Sequence, residues 1–468
     1  MLADVKIYSK FQALMKTQQL SLRDSILRAS SWIVGGHFSS QIIRLAGNLI
    51  MTRLLVPEMF GVMAVANILI VGLQLCSYFG IHHNIIQSHR GDEPIFLNTA
   101  WTFQIIRGFI IFLLAIGLAG GLFLANSYGL VSESSAYHNP VLPGVLAALS
   151  FTALISGFEA TKMITASRSM KFGHTTILEL ISQVIGLTGM IVWALLDKSI
   201  WALVAGTILG TCTRTLLSHW YIQGMSNQLM WDRAIFKELF SFGKWMLLTT
   251  ILGYLVGSGG QLILAGLIKA DVFGVFTIAL FMSVALQEVL SKVVTNVTLP
   301  VLSKVGRERR EELSEVYYKI RFPIDLAILF ICGVLFYSGH LITDVLYDHR
   351  YANAGHMLEI LAVSLFGSRY VLSEQVYIAL GKPRLLMPAQ ILQLLVTFIV
   401  IAPVYNAYGL EAAIWVIALT PLLALPVTVY FMIKYGFFNL KKELYVLPAL
   451  PAGLAIGALI NMVAQHFL

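Results

Sequence analysis

The sequence predicts an all-α polytopic membrane protein built as two parallel-repeat six-helix bundles, with a thirteenth apolar segment at its carboxyl end. Three observations carry that expectation. With 57% hydrophobic and 12% charged residues over 468 positions, the chain cannot offer enough polar surface for a soluble fold of two or three domains. Apolar stretches of about 17 to 28 residues recur along it, each near the length that crosses a hydrocarbon core about 30 Å thick. And RLLVPEMFGV, from Arg53 to Val62, returns as GLIKADVFGV, from Gly266 to Val275, at an offset of 213 residues.

The repeat extends beyond that decapeptide: Trp32 pairs with Trp245, Glu58 with Asp271, and Phe60-Gly61-Val62 with Phe273-Gly274-Val275. At an offset of 214, Ile177-Leu178-Glu179-Leu180 meets Ile391-Leu392-Gln393-Leu394, and Arg107 meets Arg321. Apolar sequences match one another easily, so the shared offset, more than any single pair, argues for duplication.

The elements follow in order. Residues 1–29 form a basic segment with Lys6, Lys10, Lys16, Arg23 and Arg28 but no signal-peptide core. Ile7, Phe11 and Leu14 share one helical face, as in an interfacial helix, although a frayed tail fits as well. Residues 30–221 are the first half, with spans near 30–52, 60–81, 99–124, 141–158, 174–196 and 199–221. A linker at 222–244 carries Asp232, Arg233, Lys237 and Glu238. Residues 245–434 are the second half, with spans near 245–268, 272–298, 322–338, 356–378, 385–404 and 411–433. A charged run, SKVGRERREELSE from Ser303 to Glu315, is expected to form a short separate helix between spans eight and nine. Residues 435–468 contain the last apolar segment, near 446–464, which either crosses fully or lies partly buried.

Six spans separate the two copies, and six is even, so both enter the membrane from the same side. Halves so arranged are related by an axis along the membrane normal and hold their ligand where they meet. With the amino terminus in the cytoplasm, the inner segments hold 23 of the 32 basic residues and the outer connections only four, Arg53, Lys198, Lys269 and Arg350, as the positive-inside rule expects. The net charge of +8 then reflects cytoplasmic loops near anionic lipid and not nucleic-acid binding.

The chemistry-bearing candidates are few. No GxxxxGK[ST] loop exists to hold a nucleotide phosphate, and no HExxH or paired CxxC suggests a metal, so neither cofactor nor metal is expected. Cys76, Cys212 and Cys332 each sit alone within a span and read as packing residues. The outer connections leave little room for a glycan polymerase or ligase site, which makes that enzyme the lesser alternative. On the first span, His37, Gln41, Arg44 and Asn48 fall within about 60° of one another at 100° per residue, a polar stripe on an apolar helix. It faces either a wet cavity or a neighbouring helix. The intramembrane cations are Arg44, Arg107, Arg214, Lys292 and Arg369. Exposing all five to lipid would cost on the order of 15 kcal/mol, so water or partners must absorb them. Glu288 and Lys292 stand four apart and could simply pair. Guanidinium groups donate paired hydrogen bonds to oxyanions, which favours an anionic ligand if the stripe lines a cavity. Gln261 on span seven and Gln287, Ser291 and Asn296 on span eight could add neutral hydrogen bonds, or equally could join helices.

The motifs RLLVPEMFGVMAVANI (Arg53 to Ile68), FGIHHNIIQ (Phe79 to Gln87), LPVLSKV (Leu299 to Val305), MLEILAV (Met357 to Val363) and ALGKPRLL (Ala379 to Leu386) together resemble bacterial polysaccharide flippases of the Wzx type. These belong to the multidrug/oligosaccharidyl-lipid/polysaccharide exporter superfamily. The resemblance covers most of the chain. It implies two six-helix bundles in a V, with spans one, two, seven and eight lining a central cavity, and no enzymatic activity. It further implies alternating access that flips undecaprenyl-diphosphate-linked oligosaccharide units across the bacterial cytoplasmic membrane, alongside a polysaccharide polymerase and other assembly proteins. The chain departs from many relatives in two ways. Ser258, Gly260 and Gln261 stand where an Asn-x-Asp-Arg pattern is common, and the span count is thirteen, not twelve or fourteen. A drug or other lipid-precursor exporter of the same fold is the rival expectation. Which glycan, which coupling ion, which pathway and which oligomeric state are not legible in the sequence.

Overall fold

Helices are the only regular structure among the described residues of the computed structural model, which are 31–467 apart from 78, 79, 89 and 381. The basic amino-terminal segment lies outside them. Three-quarters of the expected spans map onto single helices. In the first half these are α1 (31–54), α2 (Pro57–Cys76), α4 (Pro94–Ser127), α5 (Leu142–Gly157), α7 (Phe172–Leu196) and α8 (Trp201–Trp220), with two short helices between them, α3 (Ile81–Gln87) and α6 (Lys162–Arg168). The second half holds α9 (Arg233–Leu267), α10 (Ala270–Glu308), α11 (Leu313–Leu346), the broken trio α12 (Asn353–Ala362), α13 (Ser364–Ser368) and α14 (Val371–Ala379), then α15 (Met387–Leu419) and α16 (Leu425–Lys434). A short α17 (Leu440–Tyr445) leads into α18 (Ala449–Phe467).

Local chemistry sets many of these boundaries. Prolines open α2, α4, α5 and α15, where a missing N–H costs nothing. Asp232 caps α9, its carboxylate accepting from the N–H groups of Ala234 and Ile235. The helix therefore begins well inside the segment expected to be linker. Span ten is three pieces instead of one, and spans eleven and twelve run together until Gly409, whose φ of +83° breaks the backbone. The separate helix expected at 303–315 does not form: α10 continues through Glu308, a single 3₁₀ turn follows at Arg310–Glu312, and α11 begins. Lys, Arg and Glu are good helix formers, so the charge run marks where α10 leaves the apolar layer and not where it stops.

Among the described residues, seven helical stretches are long and apolar enough to cross a membrane, and the bent pair α5–α6 makes an eighth. One of the seven, Arg384–Lys434, has 51 residues, more than twice what one crossing needs. Outside that count fall α8, with Arg214, and α10, with Glu288, two helices that carry interior charge. The chain is a multi-pass helical membrane protein.

The repeated segments turn out to touch each other. A Cβ placed on Gly61 would sit 1.8 Å from the carbonyl oxygen of Ala270, and one placed on Gly274 would sit 1.8 Å from that of Pro57. Each contact is the other shifted by the repeat offset. Backbone thus meets backbone where α2 and α10 cross, at the end of the molecule away from the basic loops. Phe273 and Phe276 are fully buried beside the crossing. Further bonds join the halves at this far end. The Tyr137 hydroxyl donates to Leu262 O (3.0 Å) and that of Tyr351 to Leu55 O (3.3 Å). Arg350 donates to Thr52 O at 2.9 Å and also bonds Asp348, whose carboxyl it holds below the usual carboxylate range. At the basic end, Ile235 and Leu239 of α9 bury themselves against Ile85, Phe96 and Phe103 of the first half.

The thirteenth segment is part of the second bundle. α18 packs along α11 through glycines: a Cβ on Gly453 would lie 2.2 Å from Phe330 O, and one on Gly333 would lie 2.4 Å from Leu450 O. Cys332 donates its thiol to Ala362 O, the packing role expected of it.

Candidate functional site

Two adjoining cavities lie side by side, one within the first half and one between it and α10 of the second. The larger, about 960 Å³, is walled by α1, α4, α5 and α7 and reaches toward the basic end, with His37, His82, Gln104 and Arg107 on its surface. The smaller, about 780 Å³, runs between α1, α2, α7, α8 and α10, with Arg44, Asn48, Asn67 and Gln183 from the first half and Thr277 and Phe281 from the second. Ser40, Glu179 and Arg214 border both. Volumes of this size are those of small-molecule sites.

Among the described residues, the four intramembrane arginines are held by partners, as the cost of burying them requires. Arg44 lies 3.3 Å from Glu288 of the second half and 5.5 Å from the centre of the Phe281 ring. Gln41 donates to the same carboxylate at 2.6 Å. Arg214 lies 3.3 Å from Glu159 and 3.8 Å from Glu179. Arg107 donates to Ser77 Oγ (3.3 Å) and to Gln74 O (3.1 Å). Gln104 uses its amide to cap α5, donating to the carbonyls of Ser156, Gly157 and Glu159 at 3.1–3.2 Å. Burial and the neighbouring His83 hold the pKa of His82 below the ordinary imidazole value, so its ring enters the larger cavity neutral at neutral pH.

The polar stripe of α1 is divided. His37 borders the larger cavity, Arg44 and Asn48 border the smaller, and Gln41 borders neither; Gln41 and Arg44 reach Glu288, and the Asn48 amide oxygen accepts from the Tyr347 hydroxyl at 2.8 Å. Gln287 joins helices, donating to Ser364 Oγ at 2.9 Å. Gln261 is half-buried on α9 and borders neither cavity. Arg369 is remote from both; it lies 2% exposed beside Asp325, at 3.0 Å, in a buried cluster of the second half. The side chains of Ser291, Lys292 and Asn296 lie outside the described residues, and the carboxylate proposed as partner for Lys292 is engaged by Arg44 and Gln41. Glu159 was not among the sequence candidates. It follows the end of an apolar run, and its partner Arg214 is 55 residues away, so no local pattern marks it.

Residues 50–356 match the family described as polysaccharide biosynthesis protein. The chain is also similar to the lipopolysaccharide biosynthesis protein WzxC of Escherichia coli K12, at 22% identity over 320 residues, which is 66% of this chain and 62% of that protein's length. Among solved structures, the lipid II flippase MurJ in an inward closed conformation superposes with a TM-score of 0.64, at 13% identity over 92% of each chain. An inward-facing multidrug resistance MATE family transporter gives 0.55, at 15% identity over 88% of this chain and 94% of that one. The fold is thus that of these transporters, and from its matched residues the chain belongs to the family of polysaccharide biosynthesis proteins.

Proposed function

We propose that this chain flips undecaprenyl-diphosphate-linked oligosaccharide units from the inner to the outer leaflet of the bacterial cytoplasmic membrane by alternating access, with its amino terminus in the cytoplasm. One observation carries the reading: a polar double cavity has Arg107 and Arg214 in its walls, and the two halves approach backbone to backbone at the far end, at the Gly61–Gly274 crossing. A diphosphate brings negative charge that guanidinium groups bind in pairs, and a sugar brings hydroxyls for Ser40, Asn67, Gln183 and Thr277. Because Arg44 and Arg214 are already paired with carboxylates, the ligand competes with Glu288, Glu159 and Glu179 for them. Binding then loosens Arg44 from the second half and favours rocking of the halves. The lipid tail stays in the bilayer, and a polymerase consumes the headgroup on the outer side.

The three carboxylates give the rival reading, an exporter of cationic drugs, its own support. One comparison separates the two. In a strain lacking this chain, lipid-linked oligosaccharide should accumulate in the inner leaflet, wild type should clear it, and Arg107→Ala and Arg44→Ala should each clear it poorly. Normal export in the deletion strain, or drug sensitivity without accumulation, overturns the flippase reading.

A further inference from the structure

A third cavity, about 500 Å³, opens at the basic end of the second half, between the start of α11 and α17. It is separate from the transport cavities and does not depend on the flippase reading. Lys319, Lys441 and Lys442 stand exposed on its rim, opposed there by one carboxylate, Glu315. Phe322 and Tyr445 stack beside them, their ring centres 5.8 Å apart, and Lys442 Nζ lies 5.3 Å from the centre of the Tyr318 ring.

Behind the rim is a buried charge cluster that does not absorb the lysines. Arg321, Asp325, Arg369 and Glu443 are each at most 7% exposed. Arg321 lies 2.9 Å from Asp325 and 2.5 Å from Glu443, and Arg369 lies 3.0 Å from Asp325. Tyr318 and Tyr370 add their hydroxyls to Glu443 at 2.8 and 3.1 Å. Two cations balance two anions within it. Three polar atoms in it are buried without a hydrogen bond, Arg321 Nε, Arg369 Nε and Asp325 Oδ1, and of these residues only Asp325 forms part of the cavity wall. A buried carboxylate oxygen without a donor is costly, and it points to a ligand that brings an O–H or N–H.

The cavity thus combines a cationic rim, a buried acceptor and an aromatic pair at the level where Lys, Trp and Tyr meet the membrane surface. We propose that it holds the headgroup of an anionic glycerophospholipid whose phosphodiester carries a hydroxylated group, as in phosphatidylglycerol. The phosphate lies among Lys319, Lys441 and Lys442, and a headgroup hydroxyl donates to Asp325 Oδ1. Phe322 and Tyr445 cover the glycerol and the first acyl carbons. The lipid ties α11, α17 and the start of α18 to the leaflet at the basic end.

Native mass spectrometry of the full-length protein, delipidated and then offered defined lipids, tests this. Phosphatidylglycerol should be retained over phosphatidylcholine, and over phosphatidylmethanol, which has the charge but no hydroxyl. Lys319→Gln, Lys441→Gln and Lys442→Gln should each lower retention about fivefold, since each surface lysine contributes about 1 kcal/mol toward an anionic headgroup. The control set Lys171→Gln, Arg233→Gln and Lys237→Gln, at the same end, should leave it unchanged. Equal retention of phosphatidylglycerol and phosphatidylcholine, or equal loss in the control set, overturns the proposal. Equal retention of phosphatidylmethanol removes the role of Asp325. Displacement of the lipid by inorganic phosphate, or by polyprenyl phosphate, reassigns the site to a free phosphate or to the transported lipid and likewise overturns it.

Discussion

Arg44 and Glu288 leave about two-fifths of their side chains exposed, 42% and 40%, so their attraction is screened and contributes less than about 1 kcal/mol to stability. Its effect on the equilibrium between conformations is larger in proportion, because the pair exists only while α1 and α10 are close. Arg44→Glu should therefore slow outer-leaflet delivery of lipid-linked sugar with little change in melting temperature, and Arg44→Glu combined with Glu288→Arg should recover part of the rate. A double variant no faster than Arg44→Glu alone would remove the pair from the mechanism. The stripe containing Arg44 was legible because helical periodicity acts over a few residues. Its partner was not, since the bond to Glu288 spans 244 positions. The same distance rule explains Glu159 and the pairing of Arg369 with Asp325, since the sequence required water or a partner for Arg369 without assigning which.

At the scale of helices, the order of apolar segments was readable, and so was the repeat, because length and composition control insertion. Breaks within segments were less so. Span ten divides into α12, α13 and α14 with no proline or glycine at its first junction, between Ala362 and Ser364, and only tertiary packing selects that kink. Composition likewise marks where α10 leaves the membrane but not where it ends. The contact between repeats yields a firm expectation. Gly61→Val and Gly274→Val each push side-chain atoms into an opposing carbonyl, at a cost of about 1–3 kcal/mol for overpacking, and the two effects should be similar because the contacts are reciprocal. Both should open the far end. A cysteine at Thr277, in the smaller cavity, should then react faster with an impermeant maleimide applied to intact cells. Unchanged labelling in both variants would mean that the crossing does not close that end.

For the molecule as a whole, the proposed orientation rests on the distribution of lysine and arginine, which leaves only four basic residues in the connections at the far end. It is tested with single cysteines in a chain whose native cysteines are serine: one at Glu133 should label from outside intact cells, and one at Lys237 only after permeabilisation. The reverse pattern would invert the direction of transport proposed here. The Gly61–Gly274 crossing has a further consequence, for history. Each glycine approaches, in the other copy, the residue equivalent to the one that approaches it, as at the two-fold interface of a symmetric dimer. A half-length ancestor carrying RLLVPEMFGV would have met a second molecule of itself through this patch, with no new surface to invent. Gene fusion would turn such an encounter between two chains into one within a single chain, leaving charge free to diverge between the halves while the two glycines are kept on both sides.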